Sequence, residues 1–169
     1  MSEIRPFNRG RLHDLFERNQ LAYTTSPDGT CYVQFGESYD QQPPLIVSLP
    51  PAESTTLTMR LFLPSMYPAD TVPLLLARIN RWHSDHCWPR AYVTFDDPDD
   101  PDGSDVRIFA DNHVNLEAGV HDELLDQLFW STVSSADEML TELHLAAQVE
   151  CVTAHVPTAQ ELASWLEHG

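Results

Sequence analysis

Between Arg9 and Asn19, Leu12, Leu15 and Phe16 recur at i, i+3 and i+4, which predicts a short first helix with one apolar stripe. Leu21 to Thr25 and Thr30 to Phe35 flank Ser26-Pro27-Asp28-Gly29, where Pro and Gly provide the backbone angles of a tight turn, so the two runs read as a β-hairpin. Cys31, Val33 and Phe35 alternate with Tyr32 and Gln34, which turns the cysteine inward with the apolar set. Leu45 to Leu49 reads as a further strand, confined by Pro43, Pro44, Pro50 and Pro51 to an edge or a bulge. From Thr56 to Leu63 the alternation is stronger, with Leu57, Met59, Leu61 and Leu63 in one phase and Thr58, Arg60 and Phe62 in the other.

Helical spacing resumes with Asp70 as N-cap and Pro73 in the first turn, followed by Val72, Leu75, Leu76, Ile79 and Trp82 or His83 on one face. This second helix ends near Asp85 to Cys87, because Pro89 excludes Trp88 from the helical region. Arg90 to Phe95 and Val106 to Asn115 are two more strands, joined by the acidic loop from Asp96 to Asp105. Leu125, Leu128, Phe129, Thr132, Ala136, Met139, Leu140 and Leu143 mark one side of a long helix from Asp122 to Gln148. The order is α-β-β-(β)-β-α-β-β-α. Strands in runs, rather than one per helix, predict an α+β fold in which helices pack on an antiparallel sheet.

Composition narrows the function. In 169 residues there are 26 acidic and 9 basic side chains, all nine of them Arg, for a net charge of −17. A chain without lysine has no Schiff-base lysine, no lysine general base and no Walker A motif. Beyond Arg107 it carries 11 acids and no Arg or Lys, so phosphate is repelled there. Nucleic acid and anionic membrane surfaces are therefore not expected partners. The first residues lack an apolar signal-like run, and Cys31, Cys87 and Cys151 are too few and too far apart for a disulfide framework. The expected setting is the cytoplasm, with reduced thiols.

Three short motifs stand in order along the second half: Asn80-Arg81-Trp82-His83, then Trp88-Pro89-Arg90-Ala91-Tyr92-Val93, then Leu116-Glu117-Ala118-Gly119-Val120. Through them the chain resembles the actinobacterial branch of the YbjN family from Ile79 to Leu143, and the upstream order of elements agrees over most of residues 9 to 145. The resemblance implies a fold like that of class I type III secretion chaperones, which dimerise and hold other proteins. Relatives are labelled sensory-transduction regulators, a label that states no chemistry, and the resemblance brings no catalytic residue with it. His121 stands where relatives often carry a capping Thr or Ser, which predicts a weaker cap on the last helix. Physically, Trp88 is placed to pin helix to sheet, and Gly119 to supply a backbone geometry closed to other residues. The resemblance implies one YbjN-like domain over residues 1–148 and an extension over 149–169.

Three constellations have chemistry to weigh. His83, His86 and Cys87 form H-x-x-H-C at a helix end and, with His113 across the hairpin, are the best metal candidates, although no second ligand pair follows. Asp100, Asp102 and Gly103 fit positions in a calcium loop, but that register puts Pro98 and Phe109 where oxygen donors are required, so a solvated hairpin tip is favoured. The pairs Asp122-Glu123 and Asp137-Glu138 fall on the wet side of the last helix. No G-x-S-x-G, H-E-x-x-H or G-x-G-x-x-G is present. No metal, cofactor or catalytic residue is expected.

The tail carries a capping box, Thr158-Ala159-Gln160-Glu161, followed by Leu162, Trp165 and Leu166 at i, i+3 and i+4. A helix this short frays in water unless its apolar side docks, on its own domain or on a partner. The expectation is a non-enzymatic, chaperone-like or adaptor protein that binds another protein or peptide as a homodimer. A small metal-dependent enzyme or metal sensor built on His83, His86 and Cys87 is the alternative.

Overall fold

The computed structural model describes residues 3–36, 45–50, 55–100 and 104–147. Its elements are α1 (Arg9–Arg18), β1 (Tyr23–Thr25), β2 (Cys31–Phe35), β3 (Leu45–Leu49), β4 (Thr56–Phe62), a 3-10 turn (Ala69–Thr71), α2 (Val72–Asp85), β5 (Arg90–Phe95), β6 (Val106–Asn115) and α3 (Asp122–Ala147). The six strands form one sheet in the order β1-β2-β3-β4-β6-β5, antiparallel at every pairing. The α+β reading of the sequence holds.

Side-chain alternation places all three described helices on one side of this sheet. Cys31 and Val33, Leu45 and Val47, Leu57, Met59 and Leu61, Ala91, and Val106, Ile108 and Ala110 share one core with the buried faces of α1, α2 and α3. The helices enter it through Leu12, Leu15 and Phe16, through Leu75, Ile79 and Trp82, and through a stripe on α3 from Leu125 to Ala147. Cys31 is buried as expected, and Cys87 is exposed.

Several local expectations are corrected. β3 is an interior strand between β2 and β4, not an edge, and all five of its residues are buried. The prolines flank the strand, so no N–H is missing from its own ladder. Asp70 lies inside the 3-10 turn and caps nothing; Thr71 precedes α2, and no side chain caps that end. Leu76, assigned to the packing stripe, is 43 % exposed, and Trp88 is 37 % exposed at the α2–β5 corner, where it cannot act as a buried pin. Trp82, one turn from the helix end, fills that place instead.

His121 does cap α3. Its Nδ1 accepts the Leu124 N–H at 3.2 Å, the bond a Ser or Thr oxygen would make at an N-cap. Asp122, expected on the wet side, is instead the centre of an arginine cluster. Arg5 donates to both carboxylate oxygens, Arg11 donates to Oδ1 at 2.8 Å, and Arg18 lies 3.6 Å away. Arg11 is 4 % exposed and also donates to the carbonyls of Arg5 and Val120. The cluster ties the N-terminal segment and α1 to the first turn of α3, where the helix dipole already favours a carboxylate.

Gly119 has φ +84° just before this turn. A Cβ there would sit 2.9 Å from Ile4 Cγ2 and 3.0 Å from the Arg5 carbonyl oxygen, which is held by its bond from the Val120 N–H. Gly119→Ala is expected to destabilise the protein by about 2 kcal/mol through the left-handed backbone and this contact, as urea unfolding would show.

Candidate functional site

The candidate metal ligands do not converge. His83 Nε2 accepts the Ala91 N–H at 3.1 Å, which commits its lone pair to the start of β5. The His86 ring lies flat on Trp82, 3.8 Å between centroids and 9° between planes, with Nδ1 donating to the Trp82 carbonyl. His113 does not complete the set across the hairpin. Strand alternation puts it on the side of the sheet away from α2, with Thr58 Oγ1 3.2 Å from its Nδ1. Among the described residues, no three His, Cys, Asp or Glu side chains form a group able to hold a metal ion. In the acidic loop the Asp99 N–H donates to Asp97 Oδ1 and the Ser104 hydroxyl to the Asp97 carbonyl, the bonding of a hairpin tip. Asp102 and Gly103 lie outside the described residues, as do Leu162, Trp165 and Leu166.

The organised surface is the side of the sheet on which the described residues place no helix, the helix-free face. Register aligns Gln34, Ile46, Phe62, Phe109 and Tyr92 across five strands, and beside them Tyr32, Ser48, Arg60, Asp111 and Arg90. Tyr32, Ile46, Phe62 and Phe109 are buried in a core of their own, with Tyr92 packed against them. Phe62 and Phe109 meet at 5.3 Å, and Tyr92 stacks on Phe109 at 5.8 Å.

A charged clamp holds one end of this row. Arg60 Nε and Nη2 donate to the two Asp111 oxygens at 3.0 and 3.2 Å, and the Tyr92 hydroxyl donates to Oδ2 at 3.0 Å. The guanidinium carbon stands 5.5 Å from the Phe109 ring centroid and 6.0 Å from that of Tyr92. Burial works against the Arg60 charge, but the Asp111 carboxylate outweighs it and holds the guanidinium pKa above its ordinary value. Burial, then the Asp111 charge, pushes the Tyr92 phenol up, so Tyr92 remains a donor. Ser48, fully buried beside Arg60, has no hydrogen-bond partner for its hydroxyl among the described residues.

Asp111→Ala leaves Arg60 half-buried without its fork of bonds. The expected loss is about 2 kcal/mol, the range for hydrogen bonds to charged groups, measured by denaturant unfolding with Arg60→Ala and the double variant to isolate the pair term.

This face was legible only in part. Arg60, Phe62, Phe109 and Asp111 occupy the phase of β4 and β6 that a one-sided sheet leaves to polar residues, and two of the four are Phe. Apolar residues in both phases of a strand signal burial on both sides.

A family match covers residues 8–145, from just before α1 almost to the end of α3. The chain belongs to the YbjN family. That family is described as "putative bacterial sensory transduction regulator", and its span includes every described strand and the whole arginine clamp. No curated protein matches the chain. The YbjN match thus places the helix-free face within the family region and the candidate docking residues Leu162, Trp165 and Leu166 beyond it. Among the described residues, no helix is long and apolar enough to cross a membrane.

Proposed function

We propose that this YbjN-family chain is a non-enzymatic regulatory or adaptor protein that binds another polypeptide on the helix-free face of its sheet. The reading is supported above all by the Ile46–Phe62–Phe109–Tyr92 row, an apolar cluster whose Tyr92 end is tied by the Arg60–Asp111–Tyr92 clamp. Aromatic side chains beside arginine, on a rigid strand platform, are the composition of protein-binding hot spots. The family description, a regulator rather than an enzyme, points the same way.

Kinship extends the proposal to a chaperone-like homodimer. Its residues 1–148 would form the YbjN-like domain and 149–169 an extension, a division favoured by a family match that ends at residue 145. The free thiols of Cys31, buried, and Cys87, exposed, suit a cytoplasmic setting.

The test is binding of an unfolded, carboxymethylated reporter polypeptide, followed by fluorescence anisotropy, alongside a native mass spectrum of the untagged protein. Tyr92→Glu, which places a charge on the row while leaving the helix-side core intact, is expected to weaken binding at least about tenfold. Equal binding by wild type and variant, with matching circular dichroism, would overturn the assignment of this face. A monomer with a stoichiometric metal would overturn the wider reading.

A further inference from the structure

The helix-free face is covered, although the described residues place every helix on the other side. Ile46, Phe62 and Phe109 are 2 %, 1 % and 3 % exposed. A side chain standing on an open sheet keeps its outer surface in water; among the described residues, Arg60 lies over the Phe109 and Tyr92 rings at one end of the row. We propose that the occupant is the chain's own C-terminal segment, residues 148–169, with Leu162, Trp165 and Leu166 turned onto Ile46, Phe62, Phe109 and Tyr92, and that a protein partner binds by displacing it. The displacement half of this inference rests on the protein-binding reading above; the docking half does not.

Reach, apolar pattern and charge each favour this occupant. α3 ends at Ala147, and one turn earlier His144 Nδ1 lies 2.8 Å from the Tyr67 hydroxyl. Tyr67 in turn pairs with Val106, the first residue of β6. Three positions along that strand is Phe109, roughly 10 Å away at the rise of a β-strand. The stretch 148–157 spans up to about 33 Å when extended, enough to round the end of a sheet and reach its far side. The sequence of residues 158–166 then offers one apolar stripe at helical spacing, a pattern too short to hold a helix without a surface to dock on. The face carries Arg90 beside two further arginines already paired, Arg60 with Asp111 and Arg107 with Asp96, whereas residues 148–169 carry Glu150, Glu161 and Glu167 and no Arg or Lys. In a chain of net charge −17, an acidic segment has few such places to settle.

The experiment uses the full chain with the photoreactive residue p-benzoylphenylalanine in place of Tyr92, irradiated as an equal mixture of isotopically light and heavy protein. The expected adduct joins position 92 to a peptide within residues 158–166 of the same isotope. Adducts that mix isotopes would make a second copy the occupant. Adducts confined to any other segment, or none at all, would also overturn the proposal.

As a second measurement, Ser48→Cys reports access to the face by alkylation, read by peptide mass so that Cys31, Cys87 and Cys151 are separated from it. Combining it with Leu162→Glu and Trp165→Glu is expected to speed alkylation at position 48 by about tenfold or more; an unchanged rate overturns docking. The same doubly substituted tail should bind the unfolded reporter more tightly than wild type. If the crosslink is found but the opened face binds no reporter, docking stands and the protein-binding reading fails. If the reporter binds and the crosslink is absent, the reverse holds.

Discussion

Asp122→Ala is expected to cost about 3 kcal/mol of unfolding free energy, in the range for removing one partner of a buried ion pair. The substitution leaves Arg11, 4 % exposed, with only carbonyl acceptors for its guanidinium, and frees the Arg5 side chain from the N-terminus of α3, while Arg18 keeps its 2.7 Å bond to Asp126. The loss also depends on pH. Burial pushes the Asp122 carboxyl up, but Arg18, Arg11 and Arg5 together outweigh it and hold the folded pKa below the ordinary value. A carboxylate with a depressed folded pKa stabilises fully above its unfolded pKa, and that contribution disappears as pH falls through the folded value. The gap between wild type and Asp122→Ala should therefore be constant near neutrality and narrow once pH drops below about 4. Urea titrations at several pH values measure it, and a gap that stays constant into acid would remove the arginine cluster as its source.

Phe129→Ala should be at least as damaging, with an expected loss of about 3–5 kcal/mol. The ring is fully buried on α3 and touches Phe35 at 6.4 Å and Trp130 at 5.3 Å between centroids. It joins the helix to the β2 side of the sheet, so its removal leaves a cavity bordered by two elements that cannot close together without moving the sheet. Thermal or urea unfolding gives the magnitude. Phe129→Leu, which retains most of the volume, should recover more than half of the loss.

These two positions differ in how plainly the sequence announces them. Phe129 belongs to a stripe whose spacing alone marks it as core. Asp122 reads as one more acid on the wet side of a helix; its partners are 104 to 117 residues away and meet it only when α1 and the N-terminal segment pack against α3. The same contrast holds for the cap on α3, where His121 contributes a ring nitrogen in place of the hydroxyl that pattern reading expects. It holds too for the metal candidates, since H-x-x-H-C records proximity along the chain but not that His83 has already given its lone pair to Ala91.

The helix-free face was half visible. Phe62 and Phe109 stand out of phase in their strands, yet nothing local says that they meet, because β4 and β6 are joined only after α2 and β5 intervene. Arg60 and Asp111 are 51 residues apart and become a bidentate pair only through the β4–β6 register.

Local and periodic features could be read from the residues alone: the elements and most of their limits, the inward faces of α1, β4 and α3, the turn at Gly119, and kinship to YbjN through motifs that terminate and join elements. Tertiary structure alone decided the strand order, the interior place of β3, the convergence of three arginines on Asp122, and the second apolar face with its clamp. The physical reason is range. Periodicity and turn chemistry are set by neighbours within a few residues, whereas strand partners, buried charges and a second packed face are selected by contacts between segments whose proximity exists only once the sheet has formed.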